Sequence, residues 1–275
     1  MNRPRYEVAD VIEHFGTQFY TECKPNEFQQ RVLNALTLCR TSALGGHKEV
    51  CDCCGKERVS YNSCRNRHCP KCQSSKQAFW VEDLLETTIP VKHYHVVFTV
   101  PHELNTVCQL DSAWFYGHLF SVVWDTLRTF GYTHFGVESG AVCVLHTWGQ
   151  NLSLHPHIHC IVPAVGETLA GNMKNIGKNG KFLYPVKQLS LVFRGKLMEN
   201  IKRNLKKQSL LKQYQPLLDT VWQKPWVVFC ESSVSKPEHV VKALGKYTHQ
   251  GAMNTQRKKR SERQRCKARH KDKHD

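Results

Sequence analysis

The stretch Leu154-His155-Pro156-His157-Ile158-His159-Cys160-Ile161-Val162-Pro163 decides how this chain is read. Polar and apolar residues alternate in it with the period of two of a half-buried strand. His157 and His159 therefore point from one face, Ile158 and Cys160 from the other. Two imidazoles side by side on a rigid strand make a preorganised divalent-metal site. His155 keeps the same parity and extends the row, although Pro156 can distort it. The competing reading is a set of hydrogen-bonded structural histidines, and three histidines at alternate positions favour a metal over it.

Working outward, Ala141 to Trp148 reads as a strand joined to the histidine strand by a short loop. His93 to Pro101 reads as another strand from its β-branched and aromatic content. Its apolar run Val96-Val97-Phe98 suits a central position, so the pair His93 and His95 is assigned a structural or phosphate-contacting role rather than metal ligation. Asp111 to Phe130, Leu189 to Leu205 and Leu210 to Trp222 carry apolar residues at helical spacing, and Trp226 to Cys230 closes the series as a strand. This order predicts an α+β domain with a mainly antiparallel sheet backed by helices. The basic residues Arg194, Lys196, Lys202, Arg203, Lys206 and Lys207 on the first of the later helices are offset only by Glu199, and DNA contact is expected there.

Upstream lies a different kind of sequence. Two helices are expected, one with Val8, Val11, Ile12, Phe15 and Phe19 as its apolar positions, the next with Phe28, Val32, Leu36 and Cys39. Gly45-Gly46 breaks the pattern before a cluster of six cysteines between Cys51 and Cys72. Cys51-x-x-Cys54 and Cys69-x-x-Cys72 are two knuckle-like pairs, and four thiolates so spaced can close a tetrahedral structural Zn²⁺ site. Cys53, Cys64, His47 and His68 are further candidates, either as replacements or for a second zinc. Arg65, Arg67, His68 and Lys71 between the ligands suggest a surface that meets phosphates. A helix from Ser74 to Glu86 ends near Ile89-Pro90, which divides a helical and zinc-binding module, residues 1–88, from a larger domain, residues 89–250.

The 275 residues carry 39 Lys and Arg against 23 Asp and Glu, a formal charge of +16, which calls for a polyanionic partner. Nucleic acid fits this better than a membrane, because the apolar runs are short. No signal peptide or transmembrane span is read, so the expected place is the cytoplasm, with the nucleoid. Thirteen cysteines without an export signal favour metal thiolates over disulfides. From Gln256 to Asp275 ten Lys and Arg face three acids, and residues 251–275 are read as a disordered basic tail that binds DNA nonspecifically.

Ser235 and Pro237-Glu238 open a last helix that holds Tyr247. Val240, Leu244 and Tyr247 share an apolar stripe, which suits a core tyrosine. Lys242, Lys246 and His249 lie on the neighbouring face, which suits a phosphate-docking nucleophile.

Several motifs together resemble a known family. Trp148-Gly149-Gln150-Asn151-Leu152 followed by His155-Pro156-His157-Ile158-His159 is similar to the His-hydrophobic-His core of rolling-circle (HUH) nucleases. More closely, it resembles the zinc-binding transposases of the insertion-sequence family numbered ninety-one. Asn62-Ser63-Cys64-Arg65-Asn66-Arg67-His68-Cys69-Pro70-Lys71-Cys72-Gln73, His95-Val96-Val97-Phe98-Thr99-Val100-Pro101 and Lys242-Ala243-Leu244-Gly245-Lys246-Tyr247-Thr248-His249 match its other signatures, over residues 5 to 250.

The resemblance implies an HUH-type domain and a transposase that nicks and rejoins single-stranded or extruded DNA at element ends. Tyr247 would be the nucleophile of a 5′-phosphotyrosine intermediate, with Lys242 and Lys246 on the DNA. Mg²⁺ or Mn²⁺ would sit on His157 and His159, with Gln150 or His155 as third ligand. Two departures stand out: the position four before Tyr247 is Ala243 rather than a second tyrosine, and the sequence from Gly251 onward is unlike the family's continuation, as in a truncated or frameshifted copy. The rival reading is a zinc-containing DNA-binding protein, without catalysis, from a decayed element.

Overall fold

The chain was described from a computed structural model covering residues 6–149, 153–176 and 183–231. Contacts divide it into two compact units, with the division inside one helix after Trp80.

The first unit contains α1 (Val8–Cys23), α2 (Glu27–Leu38), a hairpin of β1 (Gly46–Val50) with β2 (Glu57–Tyr61), and the start of α3 (Pro70–Thr87). Asn26 begins α2 because its side chain accepts from the Gln29 N–H while the Gln29 side chain accepts from the Asn26 N–H. Two donors that the helix leaves unpaired are thereby satisfied. The hairpin closes tightly at Gly46, where a Cβ would stand 2.7 Å from the Ser60 carbonyl oxygen. Among the described residues the unit's buried cluster is small, built from Leu36, Cys39, Cys69 and Cys72 with Val8, Ile12, Val32 and Cys64 packed against it. Of the apolar stripe read in the first helix, Val8 and Ile12 reach that core, while Val11, Phe15 and Phe19 are exposed.

The second unit is built on four strands in the order β5 (Val142–Trp148), β6 (Leu154–Pro163), β3 (His93–Thr99) and β9 (Val228–Glu231), every neighbour antiparallel. Between these run α4 (Asn105–Leu110), α5 (Ser112–Phe130), α6 (Val186–Lys207) and α7 (Leu211–Gln223). A small second sheet joins β4 (Val137–Glu138), β7 (Val165–Thr168) and β8 (Met173–Asn175). Asp111 caps α5 by accepting from the Trp114 N–H.

One face of the large sheet is the core. Ile158, Cys160, Val162, Tyr94, Val96 and Phe98 are buried there in one cluster with Phe115, Leu119 and Leu127 of α5 and Leu189, Phe193 and Leu197 of α6. Strand alternation sends the neighbouring residues to the opposite face, which collects His157, His159, His95, Val97 and Thr99. The fold is therefore the expected mixture of helices and a mainly antiparallel sheet.

Phe193 fixes the helical layer to the sheet. Its ring lies 5.0 Å from that of Phe98 and 5.5 Å from that of Trp226, in edge contacts, and it is wholly buried. Phe193→Ala is expected to destabilise this unit by about 3–5 kcal/mol, from lost transfer energy and the cavity left behind. Urea unfolding with and without the substitution measures it, and a loss below ~1 kcal/mol would mean that the site collapses around the gap.

Candidate functional site

Hairpin register builds the histidine cluster. β5 and β6 pair antiparallel so that His146 stands opposite His157, and the register shifts between His146 and Trp148. Nδ1 of His146 lies 3.3 Å from Nε2 of His157. His159, two residues along the same face, completes a group whose ligand nitrogens all lie within 4.8 Å of one another. Two nitrogens bound at 2.0–2.1 Å to one ion stand about 3.0–3.4 Å apart. The spacing of His146 and His157 is of that size, so the donor set fits a divalent ion.

Two of the three rings are also oriented from behind. His157 donates its Nδ1–H to the His155 carbonyl oxygen at 2.7 Å, which leaves Nε2 with a lone pair. Nδ1 of His159 lies 2.9 Å from Nε2 of His95, the two rings stacked nearly parallel. Burial pushes the imidazole of His157 below its ordinary range. Burial first, then the neighbouring His157, His95 and His146, lowers His159 to about 3. Both are therefore neutral near pH 7, the form that binds metal.

The sequence offers Gln150 or His155 as third ligand. His155 contributes its backbone carbonyl, and its imidazole is not in the cluster. Gln150 lies outside the described residues. The residue that joins the group, His146, was read only as part of a strand. Its signal was the short loop after Trp148, since a hairpin there sets His146 and His157 opposite each other.

The cysteines gather differently from the expected set. Cys39, Cys64, Cys69 and Cys72 bring their sulfurs within 4.8 Å of one another. Sγ of Cys72 is 3.6 Å from that of Cys39 and 3.7 Å from that of Cys64. A tetrahedron with metal–sulfur bonds of 2.3 Å has edges of about 3.8 Å, so the four thiols are placed as zinc ligands are. The Cys64 backbone N–H points to the Cys39 sulfur at 3.5 Å.

Cys69 and Cys72 belong to this tetrad, and so does Cys64, read earlier as a surplus candidate. Cys51 and Cys54 do not, because they occupy the turn between β1 and β2. The five residues of β2, about 17 Å of extended chain, lie between that turn and the return at Cys64. Cys39 takes up the vacated place; its position at the end of an amphipathic stripe had made it look like one more core residue. His68 is exposed and accepts from Arg67 Nε.

The expected DNA-contacting residues divide similarly. Arg65 and Arg67 are exposed, whereas Lys71 pairs with Glu7 at 2.6 Å. On α6, Lys196 donates to the Asp125 carbonyl and the Thr129 hydroxyl. Arg194 donates to the Trp222 carbonyl and stacks on its ring, and Arg203 pairs with Glu199. That helix spends much of its charge on packing. Tyr247, Lys242 and Lys246 lie outside the described residues.

Comparison with known proteins gives these clusters a context. A family model described as "Transposase zinc-binding domain" matches residues 11–100, and one described as "Putative transposase" matches residues 140–275, including the basic tail set apart above. The transposase y4qJ of Sinorhizobium fredii, named as putative, is 39% identical over 274 residues, covering 94% of this chain and 68% of the relative. The transposase for insertion sequence element IS801 of Pseudomonas savastanoi pv. phaseolicola is 28% identical over 152 residues, covering 54% of this chain and 37% of that protein. The chain thus spans about two thirds of the first relative's length and little over a third of the second's. Among solved structures, a conjugative relaxase, TRWC, in complex with oriT DNA is similar over 56% of this chain and 68% of its own, at 10% identity and a TM-score of 0.30. With its cysteine tetrad inside the span of the zinc-binding model and a relative of this identity aligned over nearly its whole length, the chain belongs to the IS91 family of zinc-binding transposases.

Proposed function

We propose that this chain nicks and rejoins single-stranded DNA at the ends of its mobile element, with its cutting chemistry in residues 89–250 and a structural zinc in residues 1–88. The observation that carries the reading is the group His146, His157 and His159 on one face of an antiparallel sheet, in a chain of the transposase family. A divalent ion there, Mg²⁺ or Mn²⁺, supplies Lewis-acid polarisation of the scissile phosphate.

The chain's own residues do the rest. The imidazoles of His157 and His159, neutral and oriented from behind, would offer their lone pairs together with that of His146. Tyr247 brings the attacking hydroxyl. Its Oη forms a bond to phosphorus as the bond to the 3′ oxygen breaks, and the phenolic proton is made up on the 3′ hydroxyl that leaves. One phosphodiester replaces another, so rejoining needs no nucleotide cofactor. The surplus of +16 charges draws the substrate in through its backbone, with an affinity that falls as salt rises. Among the described residues no helix is long and apolar enough to cross a membrane.

Labelled single-stranded DNA from the element's ends, incubated with Mn²⁺ and run on a denaturing gel, tests the reading. A covalent adduct is expected that depends on metal and disappears in both Tyr247→Phe and His157→Ala. DNA binding on native gels without any adduct on cognate ends would replace this reading by the zinc-containing binding protein.

A further inference from the structure

His95 is a histidine of the metal face that neither ligand group among the described residues includes. It stands on the central strand β3, opposite Ile161 of β6 and Glu231 of β9, while His159 stands opposite Val97. His95 and His159 are thus diagonal neighbours across one strand pair, a separation of about 7–8 Å between backbones that two aromatic side chains bridge. They bridge it with one contact, His95 Nε2 to His159 Nδ1 at 2.9 Å, and with rings 5.1 Å apart and 5° from parallel.

From this contact we infer that His95 is a positioning residue: it accepts the Nδ1–H of His159 and so holds that ring with Nε2 towards His146 and His157. The inference rests on the metal reading of the cluster given above. The tautomer follows from it. One nitrogen of His159 must carry a lone pair for the ion, and within the contact only one of the two facing nitrogens can carry a proton. If Nε2 of His159 is the donor to the ion, its Nδ1 carries hydrogen, Nε2 of His95 is the acceptor, and the proton of His95 is on Nδ1. His157 is held in the same way by the His155 carbonyl, so two of the three rings have an acceptor behind them, one from the backbone and one from a side chain. The sequence reading gave His95 a structural or phosphate-contacting part; this geometry turns it towards a ligand.

Gln places an oxygen near the position of the imidazole Nε2 and keeps the acceptor, whereas Leu keeps the volume without it. Mn²⁺ titration by calorimetry on the full chain is therefore compared for the wild type, His95→Gln and His95→Leu, with near-UV circular dichroism beside it. The expected result is a dissociation constant weakened about 10–100-fold in His95→Leu and largely recovered in His95→Gln, the dichroism unchanged. Long-range ¹⁵N–¹H spectra of the unsubstituted protein with Mg²⁺ read the tautomers without any variant, and are expected to show His159 protonated at Nδ1 and His95 unprotonated at Nε2. Wild-type affinity in His95→Leu, or His159 protonated at Nε2, overturns the inference and leaves the metal site standing. A wild-type chain that takes up no Mn²⁺ overturns the metal site and the inference with it.

Discussion

Cys39→Ser is expected to strip the N-terminal unit of its zinc and most of its fold. The reason is the size of what remains. Among the described residues, and apart from the thiols, that unit buries Leu36 and the small Ala9 with a fringe of partly covered Val8, Ile12 and Val32, too little apolar area to offset the entropy of ordering its helices and hairpin. A structural zinc contributes on the order of 10–16 kcal/mol in small zinc-dependent folds, so the metal is the larger part of such a core. Serine keeps the side chain's size but offers a poor ligand for this ion, and it would sit wholly buried beside three thiolates. Zinc content by mass spectrometry, together with the rate of proteolysis within residues 6–80, reads the effect. Chelation of the wild type should reproduce it. Cys54→Ser is the comparison that decides between ligand sets: it is expected to retain the tetrad's zinc, whereas retention in Cys39→Ser and loss in Cys54→Ser would return the assignment to the pairs first read from the sequence.

His146→Ala is expected to weaken Mn²⁺ binding beyond the 10–100-fold that loss of an orienting partner costs, and to reduce metal-dependent cleavage with it. A ligand opposite His157 at 3.3 Å has no substitute among the described neighbours, and two imidazoles from one strand leave the ion held from one side. His155→Ala should stay within a few-fold of the wild type, since the group that His155 supplies is its carbonyl and alanine keeps it. Calorimetry with Mn²⁺ compares the two. Equal losses would restore the His155 imidazole to the ligand set.

Strand alternation made the central element readable. The bounds of β6 match the quoted stretch, and Ile158, Cys160 and Val162 are buried where period two puts them. The long helices were legible for a like reason, since burial on one side leaves a trace in the order of residues. Pairing between strands leaves less of one. His146 sits among alternating residues that say which face it shares, but the register that brings it to His157 belongs to two strands at once. Cys39 was hidden by the same regularity that revealed its helix, because a thiol at an apolar position reads as packing until the chain that meets it is known. The β1–β2 hairpin had nothing to show: most of its side chains face solvent, so neither strand carries an apolar period.

The three imidazoles come from a single hairpin, His146 and His157 being only 11 residues apart. In folding terms this makes the histidine cluster a local structure and the cysteine tetrad a distant one, since Cys39 and Cys72 are separated by 33 residues. Hairpins close in about 1–10 μs, well before a sheet acquires its central strand or its helical backing. The cluster's three rings are thus neighbours early in the life of the chain, and what the later elements add, through His95 on β3, is aim.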